Sequence, residues 1–266
     1  MGMDQNKAPG EDRKTFPILK QAFQKFPLLI TAIYNSCLIS GCCPKVWKKA
    51  KIIPITKLGK AHSLETSKYR PISLIILDGK VLEKLLITRI QHHLYSHNLL
   101  NEDQYGFTSQ KSTIGAVISL MEHIQEVLET GQVVVLASLD VNSAFDAAWS
   151  PSILYALKEY NYPRNLFSVI NDYFSKRTAS MTIGNQTIER EVTKSCPQGS
   201  CCGPGLWNVE YNSVLNLQYN KQTRVIAYAD DLILVTKEES RSEAENFMNI
   251  EMQKNYSMGK KTKNIF

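Results

Sequence analysis

The sequence predicts an α+β fold. Three observations support this prediction. Several long stretches carry apolar residues every three or four positions, which indicates amphipathic helices. Residues 132–140 form a continuous apolar run that ends in an aspartate, the pattern of a strand buried on both faces. Residues 179–194 alternate around a Gly-Asn pair, and residues 225–236 are two apolar runs joined by two aspartates, so both segments indicate hairpins.

The chain is predicted to begin with a helix over residues 15–40. Pro27 is expected to break or kink this helix, because proline lacks the backbone N–H donor and clashes with the preceding turn. Residues 49–55 favour a short strand, and a polar loop follows from Leu58 to Lys68. The first part of the chain is therefore expected to combine helices with a strand and a loop.

Two further helices are predicted before the apolar strand. Asp78 is expected to cap the first of them, whose apolar stripe runs from Val81 to Leu94. The second covers residues 112–130 and is expected to end at Gly131. Other helical patterns cover residues 151–160, 206–217 and the acidic stretch 238–253.

The composition is that of an ordinary globular protein, with 43% hydrophobic and 21% charged residues. The formal net charge of +6 favours a polyanionic partner. Residues 45–70 contain eight lysines and arginines against Glu65 alone. This basic stretch is interpreted either as a solvated surface or as a phosphate-binding one.

The cysteines follow a C-x4-C-C spacing that occurs twice. No secretory leader precedes them, so reduced thiols inside the cell are favoured over disulfides. Zinc binding stays open as an alternative, although adjacent cysteines are poor chelating geometry. No apolar run reaches the roughly 20 residues that span a bilayer, so no membrane association is expected. The six residues are Cys37, Cys42, Cys43, Cys196, Cys201 and Cys202.

Three aspartates are candidates for a metal site. Asp140 ends the apolar strand, and Asp230 and Asp231 join the two runs of the last hairpin. If these strands are neighbours in one sheet, the three carboxylates meet at one edge. Two carboxylates about 4 Å apart repel by roughly 4 kcal/mol at an effective dielectric near 20, and a divalent cation relieves that repulsion. A purely structural role, as a strand end and a turn, remains the alternative.

Three motifs occur in an order that resembles reverse transcriptases: SLDVNSAFDAAW (138–149), SCPQGSCCGPGLWN (195–208) and AYADDLILVT (227–236). The upstream segments agree with this resemblance: NKAPGEDRK (6–14), VWKKAKIIPITKLGK (46–60), YRPISLIILDGKVLEKLLITRI (69–90) and NEDQYGFTSQKST (101–113). The chain is similar to the polymerases of non-LTR retrotransposons, in particular to arthropod elements that insert into ribosomal-RNA genes.

The resemblance implies a right-hand polymerase with fingers and palm. Residues 1–131 would be a helical fingers-like region with the basic loop 45–70. Residues 132–266 would be the palm, an antiparallel sheet packed on helices, with helices 151–175 and 203–217 interleaved. The thumb is expected to be missing.

The resemblance also assigns the catalytic residues. Asp140 and Asp230 match the two principal metal ligands, and Asp231 and Val141 complete the implied ligand set. Two Mg²⁺ ions are expected, with Mn²⁺ as a substitute, to promote attack of a primer 3′-hydroxyl on a dNTP. Lys261 resembles the lysine that protonates the leaving pyrophosphate.

Five residues match nucleotide-binding positions of the family. Phe145 would lie under the sugar of the incoming nucleotide and exclude a ribose 2′-hydroxyl, unless its ring is simply part of the core. Gln198 and Gly199 match a loop that contacts the nucleotide, and the glycine permits close backbone approach. Arg70 would hold the triphosphate with its planar guanidinium, assisted by Lys57 as a point charge.

The template-binding residues implied by the resemblance are Gln104, Gly106 and Phe107. The implied partners are an RNA template, a DNA primer and dNTPs, and the family's way of priming on chromosomal DNA implies a nuclear location. Nothing in the sequence indicates an oligomeric state.

Departures from the family pattern leave two alternatives open. Glu11, Asp12 and Arg13 replace the expected Pro-Asp-Gly, and the spacing between Asp231 and Lys261 is short. With the thumb absent as well, the chain could be a catalytically inactive remnant that only binds nucleic acid. An RNA-templated RNA polymerase is the other alternative, and Phe145 argues against it.

Overall fold

A computed structural model describes residues 8–57, 59, 65–141, 144–194 and 196–261. The chain divides into two compact units, each made of two segments. The first unit comprises Met1–His93 and Leu157–Gly203, and the second comprises Leu94–Ala156 and Pro204–Phe266. This division differs from the expected one at residue 131, because long-range strand pairing, described below, decides which segments belong together.

The described residues form both helices and strands, as the predicted α+β fold requires. The α-helices are α1 (Phe16–Lys25), α2 (Pro27–Ser40), α3 (Leu77–Ser96), α4 (Thr113–Glu129), α5 (Ala144–Ala147), α6 (Ser150–Glu159), α7 (Arg164–Phe174), α8 (Gly203–Leu215) and α9 (Arg241–Lys261). The strands are β1 (Lys49–Thr56), β2 (Tyr69–Ile75), β3 (Val133–Asp140), β4 (Arg177–Ile183), β5 (Gln186–Val192), β6 (Thr223–Tyr228) and β7 (Asp231–Glu238). Short 3₁₀ turns cover Lys45–Lys48 and Thr66–Lys68.

Most predicted helix boundaries are confirmed. The first helical stretch breaks at Phe26, which is not helical (φ −132°, ψ 53°), and Pro27 starts α2. Gly131 has φ +77° directly after α4, as expected for a glycine that ends a helix. The prediction that Asp78 caps α3 is wrong. The helix begins at Leu77, so Asp78 lies in its first turn. There its carboxylate pairs with Lys14 at 3.2 Å.

The sheet of the first unit has the strand order β2-β1-β4-β5. β1 pairs antiparallel with β2 and parallel with β4, where Lys49 lies opposite Thr178. The predicted hairpin around Gly184 is confirmed as β4 and β5. Because this hairpin pairs with β1, it belongs to the first unit rather than to the predicted palm region.

The sheet of the second unit has the order β3-β7-β6, with antiparallel pairing throughout. Helices α4 and α9 pack on it, and the side chains of Trp207, Leu232 and Leu234 form part of its buried core. The prediction that β3 is buried on both faces is wrong. It is an edge strand, and Leu136, Ser138 and Asp140 alternate on an exposed face. A continuous apolar run does not by itself distinguish an edge strand from a central one.

All six cysteines lie within the described residues and are reduced. Cys37, Cys43, Cys196 and Cys202 are buried, Cys201 is half-buried and Cys42 is exposed. Among the described residues, no helix combines the length and the apolar character needed to cross a membrane.

Candidate active site

The strand register brings two of the three predicted aspartates face to face. Asp140, the last residue of β3, pairs with Asp231, the first residue of β7. Residues paired in this way have Cα atoms about 4.5–5.5 Å apart. Both side chains are exposed, on the same face of the sheet as Ser138. The separation is therefore within reach of a shared cation.

Asp230 lies beside this pair, in the turn between β6 and β7. Tyr228 pairs with Asp231, so the turn residues are Ala229 and Asp230 rather than the predicted Asp230 and Asp231. Ala229 has φ +59°, a conformation that favours glycine and that two-residue hairpin turns require. The turn is displaced by one residue because Asp231 pairs with both neighbouring strands, with Asp140 on one side and Tyr228 on the other.

Two buried side chains hold Ala229 in this conformation. The Ala229 N–H donates to Gln104 Oε1 at 3.2 Å. The Ala229 carbonyl accepts from Trp207 Nε1 at 3.1 Å and from Gln104 Nε2 at 3.4 Å. Gln104 and Trp207 are 2% and 0% exposed. Strained backbone of this kind persists only where its surroundings over-determine it, and here both backbone polar groups of Ala229 are bonded from the core.

The segment around Gly106 packs directly against the 229–230 turn. The Tyr105 N–H donates to the Ala227 carbonyl at 2.8 Å, and the Ala227 N–H donates to the Asp103 carbonyl at 2.9 Å. A Cβ atom on Gly106 would lie 2.0 Å from the Ala229 nitrogen, so only glycine fits. The segment therefore extends the sheet beside β6 and supports the turn.

This packing bears on the three predicted template-binding residues. The side chain of Gln104 and the backbone of Gly106 are buried against the turn, so neither offers a side chain to a passing strand. Phe107 is 44% exposed, so its side chain is available to such a strand. A template-binding role for this segment stays a prediction.

Phe145 lies half-buried in an aromatic cluster. Its ring contacts Phe107 edge-to-face, with centroids 5.8 Å apart, and contacts Trp207 at 6.0 Å. Because Trp207 also bonds Ala229, the ring is held in a defined position relative to the turn. Both the core interpretation and the sugar-contact interpretation of Phe145 remain compatible with this environment.

The aspartates form an electrostatically strained group. Partial burial raises the pKa of Asp230 above its ordinary value, and the negative charges of Asp231 and Asp140 raise that pKa further. The possible metal ligands of these three aspartates are carboxylate oxygens, which Mg²⁺ prefers. Val141 is 2% exposed and apolar, so only its main-chain carbonyl oxygen could join them.

Within the described residues, no three acidic, histidine or cysteine side chains form a ready-made metal cage. Mg²⁺ commonly binds one or two carboxylates and keeps water or substrate phosphates as its other ligands. The paired aspartates therefore fit a magnesium ion that is completed by substrate. The side chain of Lys261, at the end of α9, lies outside the described residues.

Other predicted nucleotide-binding residues lie together in the first unit. The Ser73 N–H of β2 donates to the Gln198 carbonyl at 2.7 Å. Gly199 has φ +97°, and a Cβ there would lie 3.0 Å from the Ser73 carbonyl oxygen. Arg70, on the same strand, is exposed, and its side chain makes no hydrogen bond or ion pair with any described residue. The strand thus carries Arg70 and anchors the 198–199 loop.

Lys57 lies just beyond β1, where its N–H donates to the Lys68 carbonyl at 2.9 Å. Its side chain is half-buried. The structure therefore places it at the start of the basic loop, whose residues 58 and 60–64 lie outside the described part of the chain.

Sequence reasoning missed three supporting residues. Trp207 and Ala229 stood inside quoted motifs, but nothing local indicates that they bond each other. The third is Glu83 of α3, whose carboxylate accepts from the Cys201 N–H at 2.7 Å and from the Tyr173 hydroxyl. Burial raises the pKa of Glu83. An acid within the apolar stripe of α3 was the available signal for it.

Comparison with known proteins identifies the family of this chain. The family described as "Reverse transcriptase (RNA-dependent DNA polymerase)" matches residues 53–262. The chain is 32% identical over 243 residues to the RNA-directed DNA polymerase from mobile element jockey of Drosophila melanogaster, covering 88% of this chain and 26% of that protein. It is 30% identical over 239 residues to the Pol polyprotein of the type-1 retrotransposable element R1 of Bradysia coprophila, covering 90% and 23%.

A solved structure, apo telomerase from Candida tropicalis truncated from its C-terminal domain, matches with a TM-score of 0.58 at 11% identity. That match covers 93% of this chain and 53% of the telomerase chain, and it shows a shared fold. The chain spans about a quarter of the length of the jockey and R1 proteins. By its family match and its relatives, the chain belongs to the reverse transcriptase family of non-LTR retrotransposons.

Proposed function

We propose that this chain carries the polymerase centre of an RNA-directed DNA polymerase, which adds deoxynucleotides to a primer 3′-hydroxyl along an RNA template. The observation that carries the proposal is the cross-strand pair of Asp140 and Asp231 beside Asp230 in the turn. This arrangement leaves several carboxylate oxygens on one exposed face, where a cation and a triphosphate can both approach.

The chain's own contribution to catalysis is positioning. Asp140 and Asp230 would hold two Mg²⁺ ions, with support from Asp231 and the Val141 carbonyl. When bound, the metals neutralise charge on the attacking and leaving oxygens of an in-line phosphoryl transfer. The hydrogen bonds to Ala229 hold Asp230 in place before substrate arrives, so little reorganisation is needed during reaction.

The remaining predicted residues act on the nucleotide. The Phe145 ring, held by its aromatic neighbours, selects deoxyribose by excluding a 2′-hydroxyl. The exposed guanidinium of Arg70 suits triphosphate oxygens, with Lys57, Gln198 and Gly199 contacting the same nucleotide. Lys261 donates a proton to pyrophosphate. A nuclear location follows from the family's use of chromosomal primers.

Primer extension on an RNA template, with dNTPs and Mg²⁺ or Mn²⁺, tests this function. Asp140→Asn and Asp230→Asn should each lower the rate at least about 100-fold, because a carboxylate ligand of the metals that neutralise the phosphoryl group is lost. Glu159→Gln, which neutralises an exposed carboxylate at the end of α6, is the matched control. Wild-type rates in either Asp variant would refute the assignment.

Two other outcomes decide between the alternatives. Tight, salt-sensitive template binding without any product would favour the inactive remnant. Faster incorporation of rNTPs than dNTPs would favour an RNA polymerase and would remove the selective role of Phe145.

A further inference from the structure

A second polar feature of the same β6–β7 hairpin lies at the end opposite the aspartates. A cavity of about 280 Å³ opens there. Its charged and titratable lining comes from the turn before β6, from β6 and β7, from α4 and from the segment that leads to Gly106. The residues are Lys221, Arg224, Lys237, His123 and Asp103, and we call this feature the basic cavity.

The charges of the basic cavity do not cancel. Arg224 pairs with Asp103 at 2.9 Å and also donates to Ser119 Oγ at 2.9 Å, so this pair is close to neutral and held in place. Lys221 and Lys237 make no side-chain hydrogen bond or ion pair with any described residue. Two ammonium groups therefore face the opening without a counter-charge.

His123 reports the positive potential inside the cavity. Partial burial lowers the pKa of its ring, and the charges of Arg224 and Lys237 lower that pKa further. Glu126 and Asp103 act in the opposite direction, but more weakly. The imidazole is therefore held neutral near pH 7, and its N–H is available as a hydrogen-bond donor beside the two lysines.

We propose that the basic cavity binds a phosphate group in the backbone of the RNA strand. The ligand is inferred from chemistry: two unpaired lysines, a fixed arginine and a neutral imidazole suit a phosphate oxyanion, and the side-chain amide of Gln222 adds a hydrogen-bonding group. The identity of the strand rests on the proposed function. A free phosphate ion has the same chemistry, so the test must separate the two sources.

The length of β6 sets the scale of this contact. Thr223 and Tyr228 are five residues apart on an extended strand, which is about 17 Å. Along a nucleic-acid helix that distance corresponds to roughly five phosphates. The basic cavity would thus hold the RNA well away from the reacting nucleotide, and an oligonucleotide much shorter than this would reach only one of the two sites.

The test is the affinity of the chain for a labelled 20-nucleotide RNA, measured by fluorescence anisotropy between 50 and 200 mM salt. Lys221→Gln/Lys237→Gln should weaken binding and reduce the slope of log affinity against log salt by about 0.7, the value for one lost phosphate contact on a single strand. The control is Lys20→Gln/Lys25→Gln, which removes the same charge from exposed positions of α1. Equal slopes in the two double variants would overturn the proposal.

A second measurement does not depend on the lysine variants. The ring protons of His123, followed by NMR during a pH titration, should show a raised pKa when RNA binds, because an anion offsets the charges of Arg224 and Lys237. Inorganic phosphate at millimolar concentration, added in place of RNA, is the comparison arm. A larger shift with RNA supports a strand contact. A shift that phosphate alone reproduces indicates a free-ion site and overturns the RNA assignment, as does an unchanged titration in chain saturated with RNA.

These readouts distinguish a failure of the polymerase proposal from a failure of the basic-cavity proposal. If the chain fails to extend primers but shows the His123 response, the polymerase proposal is contradicted and the proposed RNA contact at the basic cavity is supported. A chain that extends primers while its His123 titration ignores RNA would keep the polymerase and lose the cavity.

Discussion

The two ends of the β6–β7 hairpin are built in opposite ways. At one end the 229–230 turn is strained and is bonded from the core by Gln104 and Trp207. At the other end, Lys221 and Lys237 point into an open cavity without partners among the described residues. One end is acidic and its turn is bonded from the core, and the other is basic and carries two lysine side chains without paired carboxylates among the described residues.

The difference follows from what each end is proposed to do. Phosphoryl transfer depends on the placement of metal ligands, and an error of 1 Å can cost about 100-fold in rate. A contact to a nucleic-acid backbone depends mainly on charge and tolerates flexible lysines. Buried hydrogen bonds therefore occur where position matters, and unpaired charge occurs where only attraction matters.

Among these variants, Gly106→Ala should disturb the supported turn most strongly. The added methyl group would lie 2.0 Å from the Ala229 nitrogen, so the turn or the 103–107 segment must move. We expect primer extension to fall at least about 100-fold, together with a lower melting temperature. Gly115→Ala is the control, since the nearest atom to its new Cβ is Ser112 Oγ at 3.5 Å. Wild-type extension by the Gly106 variant would mean that the turn needs no such support.

Gln104→Leu removes hydrogen bonds without adding bulk. The Ala229 N–H and the Gly106 N–H, which donates to Gln104 Oε1 at 2.8 Å, would be left unsatisfied in the core. Each costs about 1–3 kcal/mol, so we expect kcat to fall about 10–100-fold while the KM for dNTP changes less. Gln125→Leu, at an exposed position of α4, should leave both constants unchanged. A rise in KM with kcat preserved would contradict a positioning role.

Glu210 should make the stability of the folded chain depend on pH. Its carboxylate accepts from the Trp149 N–H, and burial raises its pKa to about 7 from an ordinary 4.5. A raised pKa in an acid means that its stabilising contribution is complete below pH 4.5 and is lost as the pH rises toward 7. The loss amounts to about 3 kcal/mol. Urea unfolding at pH 5 and 8 should show it in the native chain, and equal losses in Glu210→Gln would contradict it.

His123 should give a smaller effect of opposite sign at the open end. Burial and two neighbouring cations lower its pKa, so the folded chain disfavours the protonated ring. The free energy of unfolding should therefore fall as the pH drops below 6.5, the ordinary pKa of histidine. His123→Gln should make this fall smaller. The effect is smaller than that of Glu210 because the ring is only partly buried. The same urea series, with added points at pH 5.5 and 6.5, measures this effect. If His123→Gln left the fall in stability at low pH unchanged, the ring would not sense these charges.

The amino-acid pattern was sufficient for much of the site. Asp140 at the end of an apolar run and two aspartates between apolar runs predicted three carboxylates at one sheet edge, and the register pairs Asp140 with Asp231. The break at Pro27 was likewise readable, because proline acts on its own turn. These features depend on residues that are neighbours in the chain, so periodicity and turn chemistry report them.

Other features became visible only in three dimensions. The shift of the turn to Ala229, the burial of Gln104 against it and the pairing of the β4–β5 hairpin with β1 all join residues far apart in sequence. The basic cavity likewise combines four separate segments. A local pattern shows which face of an element is apolar, but not which distant element covers that face. That choice depends on the packing of the whole core, and it decides which residues support the aspartates.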